Sequence, residues 1–74
     1  MTTNLTNEEK SAIVNQHIKN IEYSIYNLEI SVIEEEAVSN PDSAKISNLN
    51  SDITELNAKK AALTAELALL TVSE

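Results

Sequence analysis

Aliphatic residues recur in two heptad-spaced tracks that meet at Asn40-Pro41. The first track is Val14, Ile18, Ile21, Ile25, Leu28 and Val32. The second is Ile46, Leu49, Ile53, Leu56, Lys60, Leu63, Leu67 and Leu70. Steps alternating between three and four residues put each track on one stripe of an α-helix, the seam geometry of coiled coils. The expected fold is therefore all-α, an antiparallel hairpin of two long helices. With no glycine and a single proline, almost nothing else interrupts regular structure. Alternating apolar and polar runs bounded by turn pairs are missing, so strands are not expected.

The helix boundaries are legible in the capping residues. Leu5-Thr6-Asn7-Glu8-Glu9 fits a capping box, in which Thr6 caps the free amides and Glu9 reaches back while Glu8 complements the dipole. Residues 1–5 are then a tail and the first helix covers 6–38. Proline inside a helix costs about 3 kcal/mol, yet it is favoured at the first helical position. This makes Asn40 the expected N-cap, with 39–40 as the turn, Asp42 in the first turn and the second helix over 41–72. Each helix is roughly 45–50 Å long at ~1.5 Å per residue. A connection this short makes the helices antiparallel neighbours within one domain spanning 1–74.

Each helix carries more apolar surface than one partner covers. Tyr23, Tyr26, Ile30, Ile33 and Ala37 form a second stripe on the first helix, roughly 120° around from the seam at ~100° per residue. Glu22, Glu29 and Glu36 separate the two stripes. The second helix has Ala58, Ala62, Ala65, Leu69 and Val72, although alanines there also serve helix propensity. A lone hairpin leaves both stripes in water, the kind of patch that marks an interaction site. Small scaffolds need staples, and without cysteine the staple left is oligomerisation. The expectation is a homodimer, as a four-helix bundle or coiled-coil dimer with loops at opposite ends. Its interface would be Tyr23, Tyr26, Ile30 and Ile33 against Ala58, Ala62, Ala65 and Leu69, large residues onto small ones.

No residue set points to chemistry. His17 stands alone beside Val14 and Ile21, and one histidine cannot build a zinc site. Glu34-Glu35-Glu36 lacks a loop to wrap oxygens around a cation and reads as a solvated face. Lys60 interrupts an aliphatic seam, where a charge can set register and its long stem can carry the ammonium to Glu22 across the hairpin. Asn15, Asn20, Asn27, Ser24, Ser31, Asn48, Asn50 and Asn57 occupy outer positions and are mediocre helix formers. No nucleophile–base pair, metal set or phosphate loop can be assembled, so no enzymatic activity, metal or cofactor is expected.

The net charge of −7 argues against nucleic acid and anionic membranes as partners. The first residues lack a basic segment followed by an apolar one, so no secretory signal is expected. The expected location is the cytoplasm, or a particle assembled there. Two function classes remain. One is a structural or adaptor module that self-associates and binds another, unidentified protein. The alternative is an acidic inhibitor imitating DNA, with Glu8, Glu9, Glu22, Glu29 and Glu34 to Glu36 supplying the charge. Lys10 and Lys19 dilute that row, and Lys45, Lys59 and Lys60 stand against Asp52, Glu55, Glu66 and Glu74 on the second helix.

Leu5-Thr6-Asn7-Glu8-Glu9-Lys10 and Ser39-Asn40-Pro41-Asp42, each opening a helix, resemble segments of small uncharacterised helical proteins of T4-like marine cyanophages. The resemblance implies a phage-encoded accessory or virion-associated protein, in a host cell's cytoplasm or in the virion. It brings no activity and no functional residues with it.

Overall fold

Thr6 starts the first helix as its capping residues require. The Thr6 hydroxyl accepts from the Glu9 N–H at 3.1 Å, and the Glu9 carboxylate accepts from the Thr6 N–H at 2.9 Å. Two backbone donors that a helix start leaves open are thereby satisfied reciprocally. The computed structural model describes residues 4–72, with side chains as far as residue 70. Within them the chain is two α-helices, α1 (Asn7–Glu36) and α2 (Ser43–Val72), packed side by side as an antiparallel hairpin. Residues 1–3 of the expected tail, the Val72 side chain of the second stripe, and Glu74 lie outside the described residues.

The connection is longer than the expected turn at 39–40. Helix α1 ends at Glu36 rather than 38, and α2 begins at Ser43 rather than 41. Two physical reasons account for this. First, the C-cap Ala37 stays right-handed (φ −82°, ψ −12°), and no described residue has positive φ. The tight reversal through a left-handed glycine is therefore not used. Second, packed helix axes stand about 8–10 Å apart, and residues 37–42 have to cross that gap.

Asp42, not Asn40, is the N-cap of α2. Its carboxylate accepts from the N–H groups of Ala44 (3.0 Å) and Lys45 (3.2 Å), and its carbonyl accepts the first helical bond, from Ile46 N–H at 3.0 Å. Pro41 thus precedes the cap instead of occupying the first helical position.

Three polar contacts across the hairpin fix its register. The Asn7 side-chain amide donates to the Leu70 carbonyl at 3.2 Å, Lys60 Nζ lies 3.1 Å from Glu22 Oε2, and Lys45 Nζ lies 3.2 Å from Glu35 Oε1. In that register the two antiparallel step patterns run in phase. Counted from the Lys60–Glu22 and Lys45–Glu35 pairs, that register sets Val14 level with Leu67, Ile18 with Leu63, Ile25 with Leu56, Leu28 with Ile53 and Val32 with Leu49. Every residue of both tracks is at least partly covered, as the seam predicts. Leu70, 7% exposed, is the one buried side chain among the described residues.

The resulting particle is a rod, 55 × 19 × 14 Å. Its accessible surface is 5562 Å², against about 4,500 Å² expected of a compact monomer of this mass. The excess follows from the two-helix rod, in which each helix covers one side of the other.

Candidate interaction surfaces

The loop end of the hairpin is closed by a clasp. Glu35 continues the first track, three residues beyond Val32 and seven beyond Leu28, so α1 aims it at α2 and leaves its side chain 16% exposed. One carboxylate oxygen accepts from the Asp42 N–H at 3.0 Å and the other meets Lys45. In a local capping box the residue at the third helical position reaches back to the N-cap amide. Here that position is Lys45, and Glu35 supplies the carboxylate from the other helix. The Asp42 N–H, followed by Lys45, holds the Glu35 carboxyl below the usual glutamate range. At the opposite end, Asn7 meets a carbonyl of the last turn of α2. Glu35 corrects the reading of Glu34-Glu35-Glu36 as wholly solvated; Glu34 and Glu36 are exposed.

Lys60 does what its place in the seam suggests. Its ammonium reaches Glu22 across the hairpin, with side chains 37% and 44% exposed. A pair this open contributes about 0.2–1 kcal/mol. A leucine in the same seam would add burial worth up to ~1.5–3 kcal/mol if complete, and Glu22 would return to water. Lys60→Leu is therefore expected to raise the melting temperature by several degrees, at about 4–8 °C per kcal/mol for a domain of this size. A lower melting temperature in a thermal scan would show that the ion pair outweighs the apolar gain.

The remaining apolar residues lie on outer faces. Tyr23 falls midway between seam residues Ile21 and Ile25, and Ile30 midway between Leu28 and Val32. Two residues of helix turn a side chain by ~200°, so both positions are opposite the seam. Ala58, between Leu56 and Lys60, and Ala65, between Leu63 and Leu67, are opposite it on α2 by the same geometry. Tyr26 and Ile33 flank the outer line of α1, and Ala62 and Leu69 that of α2. Tyr23, Tyr26, Ile33 and Leu69 are 59–64% exposed, the three alanines are exposed, and Ile30 is partly covered. Lys19 Nζ sits 5.9 Å from the centre of the Tyr23 ring, a contact worth about 0.5–1 kcal/mol at an exposed site.

Four polar side chains bond locally along their own helices. The hydroxyls of Ser31, Thr54 and Thr64 donate to carbonyls one turn earlier, and Gln16 bonds Asn20 at 3.1 Å. His17 is exposed. A shallow open depression lined by Thr6, Asn7, Glu8 and Ser11 brings no acid–base pair together. Among the described residues, no three His, Asp or Glu side chains converge as a metal site. No helix within them is long and apolar enough to cross a membrane.

Sequence reasoning located both outer stripes and the Lys60–Glu22 pair, and missed Glu35, Asp42 and Asn7 as the groups that close the hairpin's ends. For Glu35 the signal was present, since it continues the three-four stepping of the seam. No family model matches the chain, and neither a curated protein nor a solved structure does.

Proposed function

We propose that this chain is a non-enzymatic structural or adaptor module, acting through self-association and protein binding by the outer faces of its helices. The observation that carries the reading is the exposure of Tyr23, Tyr26, Ile33 and Leu69 on faces that the hairpin's own seam does not use. Grouped apolar surface of this kind is costly to leave in water and marks an interaction site. The surface excess over a compact monomer points the same way. The elementary contact is between two copies with loops at opposite ends, placing Tyr26, Ile30 and Ile33 against Ala58, Ala62 and Ala65. A further protein would dock on the same outer faces, Tyr26 and Ile33 included, where a second copy leaves them open. The resemblance to cyanophage proteins favours a virion-associated or accessory setting, in the host cytoplasm or the particle.

The concentration of acids on α1 favours a second reading, the DNA-mimic inhibitor. A mimic needs outward carboxylate rows unbroken by other surface, whereas Tyr23, Tyr26 and Ile33 occupy the outward face here. A pull-down of the tagged full chain from its native cells separates the two readings. An adaptor keeps its partner through a wash at about 0.5 M salt and loses it on Tyr26→Ser with Ile33→Ser. Binding that collapses in that wash, and is displaced by duplex DNA, supports the mimic instead.

A further inference from the structure

The geometry points to an assembly of copies that does not close. We infer that the outer face of α1 in one copy packs on the outer face of α2 in the next, so that copies add edge to edge into an open ribbon. This rests on the self-association proposed above and specifies its symmetry. In the hairpin each seam faces inward, and each extra stripe centres on positions opposite its seam. The two stripes are therefore on opposite edges of the rod. A closed two-fold dimer making the α1-to-α2 contact twice would need both stripes on the same side. A contact between two different patches that does not close propagates instead.

Charge selects the same contact. Helix α1 carries seven acids against two lysines, while α2 balances Asp52, Glu55 and Glu66 with Lys45, Lys59 and Lys60. Joining two α1 faces would bring acid to acid, with Glu22, Glu29 and Glu34 beside the stripe. Joining α1 to α2 brings the acidic helix to a neutral one. Shape agrees, since the bulky stripe lies in the loop half of α1 and the small one in the far half of α2. Loops pointing in alternate directions align these halves. Each face is about 20 Å long at ~1.5 Å per residue, so the contact is at the small end of specific interfaces and is expected to be of micromolar strength.

The test uses sedimentation velocity on the full chain and on two variants, Ile33→Glu for the α1 edge and Leu69→Glu for the α2 edge. Wild type is expected to gain mass past the dimer with concentration, without a plateau. Each variant alone should be monomeric with unchanged helicity. An equal mixture should form a dimer that grows no further, because one variant keeps the α2 edge and the other the α1 edge. If either variant loses helicity, Tyr26→Glu and Ala62→Glu replace the pair. A wild-type plateau at the dimer, or a Leu69→Glu variant that dimerises alone, overturns the open arrangement while leaving self-association standing. A mixture that remains monomeric while wild type associates also overturns it. Wild type that is monomeric throughout overturns the self-association itself.

Discussion

Leu56→Asp is expected to abolish the folded hairpin, whereas Ile33→Asp leaves it intact. Leu56 is partly covered at the middle of the seam, level with Ile25, and a carboxylate there faces apolar side chains on the other helix. The change removes part of the ~1.5–3 kcal/mol that a fully buried leucine contributes and adds the desolvation of a charge. A core this small rarely supplies more than about 3–5 kcal/mol, so the loss is comparable to the whole stability. Ile33, 59% exposed on the outer side of α1, gives up little burial within the hairpin. Far-ultraviolet circular dichroism reads the difference directly. Helical signal lost at Leu56 and kept at Ile33 is the expected pair of results; equal losses would mean the outer face also holds the fold together.

The second large effect lies at the loop. Asp42→Ala should lower stability by about 1–2 kcal/mol, the usual cost of losing an N-cap acceptor. In a domain of this size that is a fall of about 4–8 °C per kcal/mol. Asn40→Ala, at an exposed position whose side chain caps neither helix, should stay within about 0.5 kcal/mol. The opposite ranking would restore Asn40 as the cap. Glu35 adds a pH signature to the same clasp. Its folded pKa is depressed, mainly by the Asp42 N–H and then by Lys45. Its stabilising contribution is accordingly complete above the ordinary glutamate value of about 4.3 and is lost as pH falls through the lower folded value. Glu35→Gln should melt at lower temperature than wild type near neutral pH, with the gap narrowing on acidification. A gap that is constant with pH would show that the charge of Glu35 does not stabilise the loop end.

The legible parts of this fold are those governed by period. Val14 to Val32 and Ile46 to Leu70 repeat often enough that their seam follows from helix geometry alone. Thr6 and Glu9 are legible for a different reason, because both halves of that cap are within three residues of each other. The loop end resisted reading because its decisive contacts are not local. Nothing near Asp42 in sequence indicates that its N–H is met by Glu35, seven residues earlier on another helix. The Asn40-Pro41 pair offered a complete local cap, and the need to span the gap between helices displaced the start of α2 to Ser43. The outer stripes were found by spacing, but their direction depended on which residues form the seam. Once that is fixed, Tyr23, Ile30, Ala58 and Ala65 fall opposite it.

Sedimentation equilibrium of the wild-type chain, from tens to hundreds of micromolar, decides whether the outer faces associate. The expected weight-average mass is above the 8.1 kDa monomer and rises across the series. A mass that stays at the monomer value throughout would contradict it.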